Sequence, residues 1–242
     1  MNRSPFPYRD FVRAKSSVHA AIQDLGEPFV LLVGDTGTGK TALLRDIRQE
    51  LDRHRFRTFY FAGGKRLGAA GLVKVVGEAL RVRSSVCHSV TLDRVQRTLA
   101  EDPQRILLWL DEAHELPEDT LAQARALAES DLEGETRVQV LLAGLPKLRA
   151  MLQEIPPLWR RIVVREEIAG LAEDELQAFL DHHFDGQSQR LCDRGLHALF
   201  ERAKGAPGML IPMYRAILAR AGAKGKIEAE SVEESLERWD LP

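Results

Sequence analysis

An apolar run, Phe29-Val30-Leu31-Leu32-Val33, passes directly into GDTGTGKT at residues 34–41 and then into the helix-like ALLRDI of residues 42–47. Gly34-x-x-x-x-Gly39-Lys40-Thr41 meets every fixed position of the phosphate-loop pattern, in the strand-then-helix context that the pattern needs. The glycines let the backbone curl so that its N–H groups face phosphate oxygens, and the helix behind adds the partial positive charge of its N-terminus. Gly34, Asp35, Thr36, Gly37, Thr38, Gly39, Lys40, Thr41 and Ala42 are therefore the expected nucleotide-binding residues. Lys40 is expected to reach the β- and γ-phosphates of ATP, and Thr41 to ligate Mg²⁺.

Further apolar runs of strand length lie at 57–62, 105–110, 137–144 and 161–168, the last more polar than the others. Helical spacing predicts helices over 10–25, 40–53, 69–80, 91–100 and 116–130, and a short one before Pro156-Pro157. Strands alternating with helices imply a parallel sheet sandwiched by helices. After Gly170 the pattern turns all-helical, over 172–184, 188–204, 208–221 and 228–238. The expectation is an α/β nucleotide-binding domain over 1–170 and a small helical lid domain over 171–242.

The strand at 105–110 ends in Asp111-Glu112, which puts two carboxylates at the C-terminal edge of a parallel sheet, where such sheets bind ligands. Asp111 is expected to hold Mg²⁺, and Glu112 to orient or deprotonate the attacking water. Asp111-Glu112-Ala113-His114 also invites a helicase reading, but the chain beyond it is too short for a second domain of that kind. His114 reads as a polar residue near the nucleotide or as the start of a loop, rather than as a catalytic base.

The 242 residues carry a formal net charge of −2, with 44% hydrophobic and 29% charged residues. That is the composition of a globular chain with a core, and any basic surface must be local. No apolar run approaches the roughly 18 residues of a membrane helix. The N-terminal MNRSPFPYRDF lacks a signal-peptide core. Cys87 and Cys192 show no metal-ligand spacing and read as reduced thiols. A cytoplasmic protein without a membrane partner is expected.

The order of parts resembles the AAA+ ATPases: phosphate loop, acidic pair, a strand ending Leu141-Leu142-Ala143-Gly144, Arg160-Arg161 before the last strand, then a helical lid. Within them FVLLVGDTGTGKTALLR, LLWLDEAHEL, LLAGLPKLRAML, RRIVVREEIAGLAEDELQAFLDHHF and IEAESVEESLE resemble the ExeA/GspA-like group, which includes transposition ATPases of the TnsC, TniB and Mu B kind. The likeness runs from about residue 8 to residue 238. On residues alone, Arg160 and Arg161 are a surface pair, an ion pair with Glu166 or Glu167, or a trans-acting arginine finger. The resemblance implies the finger, with Arg161 preferred over Arg160, in a ring or helical filament of identical subunits. Two departures stand out. The fourth strand ends without the polar residue that usually senses the γ-phosphate. The lid reads Gly205-Ala206-Pro207-Gly208 where such families often have Gly-x-Pro-Arg, and Arg215 is the nearest replacement. Both departures favour slow ATP hydrolysis.

Two functions follow from this resemblance. The first is a transposition regulator that ATP assembles on duplex DNA and that recruits a transposase. The second is a secretion-type ATPase that assembles a protein complex; such proteins usually carry a membrane segment and a peptidoglycan-binding region, neither of which is seen here, so the first is preferred. Its DNA contacts are expected in GGKRLGAAGLVKVVGEALRVR, at Lys65, Arg66, Lys74, Arg81 and Arg83, with a solvated helix face as the alternative. Arg45, Arg48, Arg53, Arg55 and Arg57 are expected to pair within their helix with Asp46, Glu50 and Asp52. Tyr8 or Phe11 is placed to stack on adenine or simply to pack.

Overall fold

The computed structural model describes residues 4–62, 67–129, 138–222 and 225–237. Lys65 and Arg66 lie outside the described residues. The described elements, in chain order, begin with α1 (Arg9–Ala20), a π turn (Ala21–Leu25), β1 (Phe29–Gly34), α2 (Lys40–Glu50) and β2 (Phe56–Ala62). They continue with α3 (Ala69–Ala79), α4 (His88–Glu101), β3 (Arg105–Asp111), α5 (Glu118–Ala128), β4 (Val138–Gly144), α6 (Lys147–Gln153), α7 (Pro156–Trp159) and β5 (Ile162–Ile168). Four helices close the chain: α8 (Leu176–Phe184), α9 (Asp193–Ala203), α10 (Pro207–Ala221) and α11 (Ala229–Glu237).

The chain falls into two compact units. One comprises Lys15–Val33 and Leu44–Glu167; the other comprises Met1–Ala14, Gly34–Leu43 and Ile168–Pro242.

In the first unit the strands form a parallel five-stranded sheet in the order β2-β3-β4-β1-β5. The register pairs Leu31 with Leu142 across β1–β4 and Leu108 with Val140 across β3–β4. β1, β3 and β4 are buried along their whole length apart from Arg105, because helices cover both faces. On one face Phe29, Leu31, Val33, Leu108, Leu110 and Leu142 join a core with Leu72, Val76, Val95, Leu121 and Leu148 of the helices. α1 and α2 are tied together by Lys15, which pairs with Asp46 at 2.7 Å and Glu50 at 2.6 Å. These are two of the acids expected to pair with arginines inside α2; the cross-helix lysine takes them instead. β5 alternates buried and exposed residues, as an edge strand with one covered face does, which is why it reads as more polar.

The helix expected over 40–53 stops at Glu50, and Asp52 turns the chain by accepting the His54 N–H at 2.8 Å. The helix expected over 10–25 loosens into a π turn before Gly26 ends it at φ 67°. The Gln139 side chain, buried within β4, secures that turn by donating to Ile22 O at 3.1 Å and Glu27 O at 3.0 Å.

In the second unit α8–α11 bury Phe179, Leu180, Leu199, Leu210, Tyr214, Ile217 and Val232. The Tyr214 hydroxyl donates to Gln187 O at 2.6 Å, and its ring meets Phe184 edge-on. The N-terminal segment is docked here. Phe6 meets Phe179 edge-on at 5.6 Å, Arg9 pairs with Asp174, and Asp10 accepts the Ala169 N–H at 2.6 Å.

Candidate nucleotide site

The phosphate loop follows β1 and opens α2, as its sequence context requires. Its shape depends on backbone that other residues rarely adopt: Gly37 has φ 80° and Gly39 φ 107°. The loop's carbonyls are occupied by the protein. Lys40 Nζ donates to Gly34 O at 2.7 Å and Asp35 O at 2.9 Å. The Gly208 N–H donates to Gly37 O at 2.8 Å, and the Tyr8 hydroxyl donates to Thr38 O. By contrast, among the described residues nothing accepts the N–H of Thr36, Gly37 or Gly39. With carbonyls engaged and amides available, the loop presents donors to an anion. Thr41 and Ala42 follow in the first turn of α2.

Tyr8 and Phe11, both 3% exposed, pack beside this loop with ring centroids 5.5 Å apart. Burial first, and then the carboxylates of Asp10 and Glu175, push the Tyr8 phenol well above its ordinary pKa, so it stays a donor. The glycine at 208, where the sequence resemblance leads one to expect an arginine, has a steric counterpart. A Cβ on Gly208 would lie 2.8 Å from Gly37 Cα, so a side chain at the start of α10 collides with the loop backbone. Arg215 is exposed on α10.

The acidic pair lies in the other unit, at the C-terminal end of β3. Asp111 is 4% exposed and accepts the Tyr60 hydroxyl at 2.8 Å and the Glu112 N–H at 3.0 Å. Burial, reinforced by that hydrogen bond and the Asp111 charge, pushes the Tyr60 phenol up to about 12. Glu112 has φ 52°, a left-handed conformation that a non-glycine residue holds only where its surroundings impose it. The carboxylate thereby leaves the strand direction and is half exposed. His114 is buried against the end of β4: its Nδ1 accepts the Leu145 N–H at 3.2 Å and lies 3.5 Å from Glu112 Oε2. A Cβ on Gly144 would come within 2.9 Å of that nitrogen. The strand end that lacks a polar residue of its own is thus filled by an imidazole from the β3 exit. Asp-Glu-Ala-His spells out that imidazole, but nothing in the sequence marks its reach across to β4, and Tyr60 is equally unmarked.

Arg160 and Arg161 are both exposed. Arg161 pairs with Glu129 and donates from Nη1 to Pro157 O at 3.1 Å, rather than pairing with Glu166 or Glu167. Glu167 is taken by Arg149 at 2.9 Å. Among the described residues Arg160 forms no ion pair. Of the expected DNA contacts, Lys74, Arg81 and Arg83 are exposed. Lys74 lies 3.9 Å from Glu78, Arg81 has φ 59°, and Arg83 O accepts from Arg94, an additional cation on α4 that the sequence reading did not single out.

The family model for the AAA domain matches residues 23–152, from the π turn after α1 into α6. The chain belongs to the AAA domain family. A curated relative of this AAA protein is general secretion pathway protein A of Aeromonas hydrophila, 26% identical over 222 residues, which cover 78% of this chain and 40% of the relative. The chain therefore spans less than half the length of that relative. Similar solved structures include CDC6P of Pyrobaculum aerophilum, with TM-score 0.76, 18% identity and coverage of 98% of this chain and 69% of that one. The Aeropyrum pernix ORC1 protein in complex with DNA gives TM-score 0.68 at 16% identity, covering 98% and 67%. The Thermotoga maritima RuvB Holliday junction branch migration motor gives 0.63 at 19%, covering 97% and 70%. At these identities the likeness establishes the AAA fold. No helix among the described residues is long and apolar enough to cross a membrane.

Proposed function

We propose that this AAA protein binds and hydrolyses ATP and uses the cycle to assemble and release an oligomer of itself on a protein complex, in the manner of a secretion-type ATPase. The observation that carries the nucleotide part is the loop at 34–41, with its carbonyls held by Lys40, Tyr8 and Gly208 and its amides left to an anion. Lys40 is then drawn from carbonyls to phosphates, Glu112 positions the water, and Arg160 or Arg161 reaches the neighbouring subunit's nucleotide. The Arg161–Glu129 pair favours Arg160 for that reach, against the sequence preference. The hydroxyl of Thr41 and the carboxylate of Asp111 are hard oxygen donors, which suits Mg²⁺. That ion, when bound, neutralises phosphate charge. Residues 171–242 serve as the lid.

The secretion-type reading now stands ahead of the transposition reading. The relative aligned along most of this chain is a general secretion pathway protein. DNA remains a second reading because Lys74 on α3 and Arg81 and Arg83 in the α3–α4 connection are exposed, with Arg94 donating to Arg83 O, and a protein of the same fold is known in complex with DNA. A transposase partner belongs to that reading alone.

Light scattering with ATP, ADP and a non-hydrolysable analogue tests the proposal: a larger particle is expected with triphosphate only. A particle of one size in every nucleotide state would sink it. Anisotropy of a labelled random duplex under the same conditions separates the two readings, since salt-sensitive, triphosphate-dependent binding restores DNA to first place. Mixing Arg160→Ala or Arg161→Ala with Lys40→Ala identifies the finger, because only a trans-acting residue leaves mixed oligomers with complete sites.

A further inference from the structure

A water-positioning Glu112 must itself be held in place. Its backbone is in the left-handed region, and its side chain is 43% exposed. A long, half-exposed side chain samples several rotamers, and a general base must be held within hydrogen-bond reach of its water. Among the described residues, the side chain set against its carboxylate is His114, itself only 3% exposed and fixed at the exit of β4.

The chemistry of that contact follows from the Leu145 bond. A backbone N–H can only donate, so Nδ1 is the acceptor and the ring proton sits on Nε2. Glu112 Oε2, at 3.5 Å from the same Nδ1, then faces a lone pair and not a donor. The imidazole therefore does not neutralise the carboxylate. It blocks the rotamers that turn back toward β4 and leaves the charge available on the solvent side.

We propose that His114 is the positioning residue for Glu112, an imidazole pinned by the Leu145 amide that confines the carboxylate to rotamers able to address water. Gly144 belongs to the same device, because any side chain there meets Nδ1 and displaces the ring. The inference rests on the Glu112 reading given above.

The test is steady-state ATP turnover alongside nucleotide affinity. His114→Ala is expected to lower kcat about tenfold while KM and nucleotide affinity stay within about twofold, since a misplaced base costs rate and not binding. His114→Asn keeps an acceptor near the Nδ1 position and is expected to recover kcat to within about threefold. Gly144→Ala is expected to mimic His114→Ala, and the double variant to be no slower than the worse single one, as for residues acting as one unit. A normal kcat for His114→Ala beside an inactive Glu112→Gln overturns the proposal and spares the Glu112 reading. Multiplying effects of the two single changes also overturn it. Normal turnover by Glu112→Gln overturns both. Should His114→Ala not fold, Gly144→Ala with intact nucleotide affinity decides, by a slowed or an unchanged kcat.

Discussion

The phosphate loop and the exit of β3 carry similar chemical demands and meet them in opposite ways. The loop states its chemistry within eight consecutive residues, but its support comes from far along the chain: Tyr8 lies 30 residues before Thr38, and Gly208 comes from the start of α10. The β3 exit spreads its chemistry over separate strands, with Tyr60 from β2, Asp111 from β3 and Leu145 after β4, all set by register within one sheet. Loop chemistry is thus portable and loop support is not, whereas the acidic site is only as good as the sheet that aligns it.

Changes that separate the two regions sharpen this contrast. The largest effect is expected from Glu112→Gln, which should cut turnover by about 10² to 10⁴ while leaving ATP affinity intact. A variant that turns over normally would mean the β3 exit does no chemistry. Lys40→Ala should do the reverse and weaken nucleotide binding on the order of a hundredfold, read by titration calorimetry, because a charge that grips phosphate is gone. Equal affinity in the variant would make the loop a mere turn.

Gly208→Ala tests the support and not the chemistry. Its Cβ meets Gly37 backbone, which cannot move like a side-chain tip, so a loss of about 1–3 kcal/mol is expected from the urea midpoint. An unchanged midpoint would show that α10 does not brace the loop. The smallest effect is expected from Tyr60→Phe. Tyr60 is held protonated to about pH 12 in the folded protein, above the ordinary tyrosine value near 10. Its contribution to stability is therefore complete below about pH 10 and fades as pH rises toward 12. Tyr60→Phe should flatten that part of the pH–stability curve, and a curve of unchanged slope would show that the Asp111 bond has no part in it.

How much of this was legible in the sequence follows the same division. The central strands β1, β3 and β4 were visible as continuous apolar runs, since parallel strands buried on both faces leave no polar alternation, and the edge strands β2 and β5 were visible as more mixed runs. The phosphate loop and acidic pair were visible because their residue types are dictated by phosphate and water chemistry. Tyr60, Gly144 and the reach of His114 were not, because strand order is not written in any one segment: β3 gains β2 and β4 as neighbours only once β4 inserts between β3 and β1. The pairing of Asp46 and Glu50 with Lys15 was hidden for a similar reason, since spacing within a helix shows only its own neighbours.

The close approach of Gly208 to Gly37 has a consequence for how this protein can be altered. The two positions behave as a single mutational unit. An arginine placed at 208 arrives with a collision that no rotamer relieves, so a side chain at the start of α10 requires a prior shift of backbone elsewhere. Engineering faster turnover by grafting that residue alone is a closed route, and open routes start from α10 positions such as Arg215, where side-chain space already exists.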